Sequence, residues 1–163
     1  MLIETGEMTP HELRAEMERH FGHEGRHGLA VTLQSFSYKR GIPRGSDMVI
    51  DVRFLRNPHW EAQLRPFDGR RPEVRGFVES DPAYAAFYER LADLVTFLLP
   101  AYRAEGKSYF SLAIGCSGGR HRSVAVVEAL AKTHAAAGWQ VSIRHWELER
   151  ATDDAAPVGV GTA

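Results

Sequence analysis

The sequence predicts an α/β domain with a mostly parallel sheet that carries helices on both faces. Short apolar runs alternate with longer helical patterns along the middle of the chain, which is typical of strand–helix–strand units. A buried apolar run also leads directly into a glycine-rich loop that opens a helix, as in many parallel sheets. With 163 residues, of which 44% are apolar and 25% charged, the chain suits one compact domain.

The strands and helices follow from hydrophobic periodicity and from the turn residues between them. Strands are predicted at residues 29–36, 48–54, 109–114 and 139–144. Pro100 interrupts the second of three predicted helices, which lie at residues 72–79, 80–104 and 122–137. Ligands collect at the carboxyl ends of parallel strands, where three loops would meet, at residues 36–47, 54–69 and 115–121. We therefore expect the functional site at this edge of the sheet.

The two ends of the chain differ from this core, which is predicted to span residues 29–150. Residues 1–28 are predicted to form a helical lead-in and a glycine-rich linker, and the small and acidic residues 151–163 a disordered tail. The lone cysteine and the lack of a signal-peptide pattern favour a cytoplasmic protein, and no apolar run is long enough for a membrane span. The net charge of −1 does not by itself indicate a nucleic-acid binder.

The glycine-rich loop at residues 115–123 is the strongest functional signal. Its glycines allow a tight turn that directs several backbone N–H groups towards one point, just ahead of a helix N-terminus. Two arginines add permanently charged donors, and a histidine and two serines add further polar groups. The residues of the loop that we expect to bind an anion are Ser117, Gly118, Gly119, Arg120, His121, Arg122 and Ser123.

The same loop also fits a catalytic pattern. Cys116 is separated from Arg122 by five residues and Ser123 follows, which is the spacing of the phosphate loop in cysteine-dependent phosphatases. Asp51 or Asp47 would then be the general acid. The place of Asp51 near the end of a strand favours a different role, in which it orients Arg53 or a loop amide. The sequence favours a non-catalytic binding loop, and the phosphatase remains the alternative. Neither interpretation requires a metal ion or a cofactor.

Three segments, in this order along the chain, resemble the signatures of one family. They are SFSYKRGIP at residues 35–43, DVRFLRNPHW at 51–60 and AIGCSGGRHRSV at 113–124. Together they resemble the C-terminal domain of the RapZ family of RNase adapter proteins, which are also described as nucleotide-binding proteins. The resemblance covers about residues 29–150. It implies that residues 1–28 include the end of the N-terminal kinase-like domain found in that family.

The resemblance implies a phosphofructokinase-like α/β fold and a regulatory function. Members of the family are expected to bind an amino-sugar phosphate, glucosamine-6-phosphate, and to present a small RNA to an endoribonuclease. The ligand residues carried over onto this chain are Lys39, His59, Cys116, Ser117, Gly118, Gly119, His121 and Arg122. Tyr38 and Trp60 are the candidates for stacking at the same site. A homo-oligomer is also compatible with the resemblance.

Two departures from the family pattern bear on function. The chain lacks the Walker loop of the N-terminal domain, so nucleotide binding through that loop is not expected here. The lysine- and arginine-rich tail that contacts RNA in enteric members is reduced, and the acidic Asp153-Asp154 pair follows what is left. The remaining candidates for RNA contacts are Arg144, His145 and Arg150.

Overall fold

Four parallel strands form the centre of the fold. The computed structural model describes residues 28–155, and the predicted lead-in and linker up to residue 27 and tail residues 156–163 lie outside the described residues. The strands are β1 (Ala30–Ser37), β2 (Met48–Asp51), β3 (Tyr109–Cys116) and β4 (Val141–His145). All neighbouring strands are parallel, and their order in the sheet is β2-β3-β1-β4.

The helices are α1 (Pro72–Glu79), α2 (Tyr84–Glu105), α3 (Arg122–Ala136) and α4 (Trp146–Ala155), and a short 3₁₀ turn lies at Pro58–Trp60. Helix α2 runs through Pro100 without a break, because this residue lies on the exposed side where the lost backbone hydrogen bond faces water. The disorder predicted for residues 151–155 is wrong. These residues continue α4, which is held by the buried side chain of Leu148. None of the described helices is long and apolar enough to cross a membrane.

The main core lies between helices α1–α3 and one face of the sheet. Alternate residues of each strand point to this face, so Val31 and Leu33 of β1 lie beside Phe110 and Leu112 of β3. Leucines and valines of α2 and α3 complete the core with almost no exposed surface. Burying each such side chain contributes roughly 1.5–3 kcal/mol, which makes the sheet a rigid support for the loops at its edge.

The opposite face of the sheet is buried but more polar. The Gln34 side chain donates to the hydroxyl of Ser111 at 2.6 Å and accepts from the indole N–H of Trp146 at 2.8 Å. The Gln34 side chain also lies 3.4 Å from the Ser46 hydroxyl, so the segment 38–47 and the start of α4 contact this face, while the other three helices lie on the first. The predicted α/β class with a parallel sheet is confirmed, with an unequal helical cover on the two faces.

The parallel arrangement brings three strand ends to one edge. Ser37 at the end of β1 is in register with Cys116 at the end of β3, and Asp51 at the end of β2 is in register with Gly115. Strand β2 ends earlier than predicted, because the Asp51 carboxylate binds the backbone N–H of Arg53 and turns the chain. The segments that follow these three strands meet at this edge.

Candidate functional site

The loop between β3 and α3 is fixed against the end of β1. The hydroxyl of Ser37 donates to the carbonyl of Ser117 at 2.6 Å, and the N–H of Tyr38 donates to the carbonyl of Cys116 at 3.0 Å. Gly119 has a φ of 67°, and a Cβ there would lie 2.8 Å from the backbone nitrogen of Ser37. Only glycine fits this position, so this sequence forces the loop to pack tightly on β1.

Four consecutive N–H groups of this loop are unpaired within residues 28–155. Those of Gly118, Gly119, Arg120 and His121 have no hydrogen-bond acceptor among the described residues. Gly118 is exposed, and a Cβ there would meet nothing. Three carbonyls of the same loop accept hydrogen bonds: Ser117 from the Ser37 hydroxyl, Arg120 from the N–H of Gly69 and His121 from the N–H of Ala125. Unpaired donors just before a helix N-terminus form an anion-binding arrangement.

Arg122 is a buried cation at this loop, with 5% of its surface exposed. Its Nη1 donates to the carbonyls of Arg53 at 2.6 Å and Leu55 at 3.1 Å, and its Nη2 lies 3.4 Å from the hydroxyl of Ser117. Its Nε is buried without a partner, and within residues 28–155 no carboxylate pairs with it. A buried guanidinium without a carboxylate is costly, and an anion nearby would offset that cost.

A cavity of about 410 Å³ opens beside the loop. Its size falls within the roughly 300–1,000 Å³ of small-molecule sites. Three of the lining side chains are permanent cations, two are histidines, and none is a carboxylate. The lining consists of Lys39, Asn57, His59, Trp60, Cys116, Ser117, Gly118, Arg120, His121 and Arg122. This charge pattern suits an anionic ligand.

His121 lines the cavity with a ring that is 9% exposed and an Nε2 atom 3.3 Å from the carbonyl of Arg65. Burial lowers the pKa of this histidine below its ordinary value of 6.5, and the nearby charges of Arg120 and His59 lower it further. Hydrogen bonds to the Arg65 and Phe67 carbonyls act in the opposite direction and are outweighed. The ring is therefore neutral near pH 7, and a bound anion would favour its protonation.

Cys116 and Ser123 lie at the bottom of this site. The Cys116 Sγ is 3.1 Å from the Ser123 Oγ, and the two residues are 2% and 0% exposed. Cys116 lines the cavity, whereas Ser123 is not part of the lining. The hydroxyl of Ser123 therefore contacts the thiol on the side away from the cavity and does not face a ligand.

The two carboxylates considered as a general acid do not line the cavity. Asp51 is bound by the Arg53 guanidinium at 2.6 Å, which lowers the pKa of this carboxyl group, and it does not line the cavity. Asp47 precedes β2 at the opposite edge of the sheet, where it pairs with Lys107 at 2.8 Å. Neither carboxylate lines the cavity, and the contact of Asp51 with Arg53 is the one that the favoured interpretation of Asp51 predicts.

The predicted RNA contacts are scattered. Arg144 pairs with Glu149 at 3.0 Å and lies over the ring of Trp146. His145 is 8% exposed, and its two ring nitrogens lie 2.7 Å from Ser35 and Glu128, so its assignment to an RNA-facing surface is wrong. Arg150 is exposed and lines a separate cavity of about 140 Å³.

The structure brings most of the predicted ligand residues together from three segments. The residues that share the cavity are Lys39, His59, Cys116, Ser117, Gly118, Arg120, His121 and Arg122. Gly119 and Ser123 do not line the cavity. The sequence reasoning missed Asn57, whose side chain accepts from the N–H of His59 at 3.1 Å and caps the turn. Its position directly before Pro58 was the signal that could have found it.

The parallel sheet and the basic cavity at its carboxyl edge define an α/β domain built around a small-molecule-sized site. The chain belongs to the RapZ family, because the sequence model of the RapZ C-terminal domain matches residues 29–149.

Long stretches of the chain are also similar to curated bacterial proteins that carry the name nucleotide-binding protein. One from Dinoroseobacter shibae is 57% identical over 150 residues, which cover 92% of this chain and 50% of that protein. One from Ruegeria pomeroyi is 55% identical over 156 residues, covering 96% and 55%. One from Roseobacter denitrificans is 51% identical over 149 residues, covering 91% and 50%. The chain thus spans about half the length of the curated relatives it matches.

Proposed function

We propose that this domain binds a phosphorylated amino sugar of the glucosamine-6-phosphate type and acts as a regulatory sensor in the cytoplasm. The observation that carries the proposal is the buried Arg122 guanidinium, which has no carboxylate partner within residues 28–155 and lies beside unpaired loop amides. Phosphate oxygens match both kinds of donor. The cavity next to the loop provides room for the sugar.

In this proposal the occupied site alters the binding of a small RNA and of an endoribonuclease. A physical route exists, because Gly119 packs against the first turn of α4, where a Cβ would lie 2.7 Å from the Cγ of Glu147. A movement of the loop would therefore reach the helix that carries Arg150. Glu147 also lies 3.8 Å from Arg40. The contact between Gly119 and Glu147 is therefore connected to Arg40 directly and to Arg150 through helix α4.

Isothermal titration tests the ligand proposal. We expect glucosamine-6-phosphate and inorganic phosphate to release or absorb heat with the wild-type protein, and to lose affinity by about ten-fold or more in Arg122→Ala. Arg90→Ala is the matched control, since Arg90 is exposed on α2 and binds only the carbonyl of Ala86 on its own helix. AMP serves as a comparison ligand because the relatives are named nucleotide-binding proteins. Absence of heat with both phosphate compounds would refute the proposal.

Filter binding of RNA over a salt series tests the adapter function. If several phosphates are contacted, the logarithm of the binding constant should fall with the logarithm of salt concentration, with a slope steeper than about −2. Saturating glucosamine-6-phosphate should change the affinity. A shallow slope, with no effect of the ligand, would remove RNA from the proposal and leave the phosphosugar site standing.

A cysteine-dependent phosphatase is the second candidate, and one contact favours it. The Ser123 hydroxyl lies 3.1 Å from the Cys116 sulfur at the floor of the cavity, where it could support a thiolate. The lack of a carboxylate in the lining speaks against this function, because no general acid is at hand. Hydrolysis of p-nitrophenyl phosphate that is lost in Cys116→Ser but kept in Ser117→Ala would establish it.

A further inference from the structure

Trp60 is the most exposed large hydrophobic side chain among the described residues. Its exposed fraction is 74%, yet it lines the same cavity as Gly118 and Arg122. An indole that stays exposed to water does not make the large favourable contribution to the free energy that burial of its apolar surface would provide. Its ring touches the ring of His59 edge-on, with 5.4 Å between centroids. Because about three quarters of this residue is exposed, most of the indole surface is open to a ligand.

The backbone under Trp60 is rigid. The N–H of Trp60 donates to the carbonyl of Asn57 at 3.2 Å, and the side chain of Asn57 caps the turn through His59. Pro58 is buried beneath, and the Arg65 guanidinium holds the carbonyl of His59 at 2.7 Å. A turn with this many constraints presents the indole at a fixed place, which lowers the entropic cost of binding something against it.

The loop amides and Arg122 can account only for a phosphate group. The remainder of a sugar phosphate must lie in the rest of the cavity, which the turn at Pro58–Trp60 bounds. One face of a pyranose ring carries several C–H groups and packs well on an aromatic face. Polar ring substituents can reach Asn57 and His59 at the same time, as is usual in sites that combine an aromatic wall with a few polar groups.

We propose that Trp60 is a specificity-determining residue that packs against the apolar face of the ligand's ring, so that the site selects cyclic phosphosugars over free phosphate and over acyclic phosphates. This inference rests on the proposed function and adds the chemistry of the part of the ligand that is not phosphate. The loop amides and Arg122 determine whether an anion binds, and Trp60 determines which anion binds most tightly.

The experiment compares three probes by titration: inorganic phosphate, glycerol-3-phosphate, which has no ring, and glucosamine-6-phosphate. In the wild-type protein the ring compound should bind more tightly than the other two. Trp60→Ala should reduce this advantage by about ten-fold and leave phosphate affinity unchanged, while Trp60→Phe should keep most of it. The matched control is Phe97→Ala, because Phe97 is 73% exposed on α2 and does not line the cavity.

The outcomes separate the two claims. If phosphate binds but the three probes have equal affinity, or if Trp60→Ala keeps the full ring advantage, the assignment of Trp60 is overturned and the anion site stands. If no probe binds to the wild-type protein, the proposed function itself fails. Unchanged phosphate binding in the Trp60 variants also shows that they are folded.

Discussion

Arg122 combines a structural and an electrostatic role in one side chain. Its Nη1 donates hydrogen bonds to the carbonyls of Arg53 and Leu55, which fixes the segment after β2 to the loop between β3 and α3. Its charge meanwhile has no carboxylate partner in the described part of the chain. A guanidinium can do both because its five donors point in fixed directions, whereas a lysine offers a single charged point.

Replacing Arg122 should therefore affect stability as well as binding. In Arg122→Ala two partly buried carbonyls lose their donor, which should lower the free energy of unfolding by about 1–3 kcal/mol in a urea titration. Arg120→Ala is the control, since Arg120 is exposed and should change stability by less than about 0.5 kcal/mol. Equal stability of the two variants would show that the contacts to the carbonyls are not what holds the loop.

His121 should couple anion binding to proton uptake. Its pKa is lowered in the free protein, chiefly by burial, and a bound anion would raise it. Binding should then take up a proton around and below pH 6.5, so sulfate affinity should rise as the pH falls. Sulfate is the suitable probe because its own charge is constant in this range.

The coupling is measured by titration calorimetry in two buffers with different heats of ionisation. The apparent enthalpy should depend on the buffer in the wild-type protein and not in His121→Gln. The same pKa shift bears on stability, because the unfolded chain accepts the proton first as the pH falls below 6.5. The free energy of unfolding should decline there with the pH, and less so in the variant. A buffer-independent enthalpy for the wild type would contradict the role of His121.

At the scale of elements, the two neighbouring glycines of the loop should respond differently to alanine. Gly119→Ala places a Cβ 2.8 Å from the Ser37 nitrogen at a φ of 67°, which should cost more than about 2 kcal/mol. Gly118→Ala meets nothing and should stay within about 0.5 kcal/mol of the wild type. Thermal denaturation distinguishes them. Equal melting temperatures would mean that the loop does not pack on β1 as described.

The interaction of Ser35, His145 and Glu128 ties β1, β4 and α3 together through two contacts of 2.7 Å. His145→Ala should lower the free energy of unfolding by about 2–4 kcal/mol, through lost hydrogen bonds and the cavity left behind. RNA affinity should be unchanged, because the ring is buried. Arg144→Ala, which removes an exposed ion pair and the contact with the Trp146 ring but no buried hydrogen bond, serves as control and should cost less. A loss of RNA binding in a stably folded His145 variant would restore the original assignment.

The elements themselves were largely predictable from the sequence, for reasons that can be named. Strands β1 and β3 and helix α3 carry strong apolar periodicity, and the structure confirms them with small shifts at their ends. Helix α1 is confirmed as well, although its sequence pattern is weak. Helix α4 was missed because the acidic, alanine-rich residues 151–155 resemble a disordered tail. Its stability comes from contacts such as the buried Leu148, which periodicity over so short a segment does not reveal.

The candidate site was predictable only in part. The loop sequence indicates unpaired donors, and the parallel topology indicates which loops meet. The sequence also suggests that Asp51 orients Arg53, which the structure shows. It does not indicate that Gly119 and Ser123 stay outside the cavity lining. Those facts depend on the directions of side chains, which change with each residue along a turn. The place of His145 in the core depends on contacts between residues distant in sequence.

For the whole molecule, the fold gathers positive charge at one edge of a nearly neutral protein. The net charge is −1, yet the cavity at the carboxyl edge is lined by three permanent cations and no carboxylate. The chain matches the RapZ C-terminal domain and spans about half the length of its curated relatives. A regulatory domain that binds an anion and passes the change to a partner is consistent with both features.

The loop before α3 is proposed to be an anion site. The most direct measurement is a titration of ¹⁵N-labelled protein with inorganic phosphate, followed by amide chemical shifts. We predict saturable shifts of the Gly118 and His121 amides with the same midpoint, and a midpoint at about ten-fold or more higher phosphate concentration in Arg122→Ala. Shifts confined to residues near Arg40 and Arg150, or no saturable shifts at all, would contradict the account.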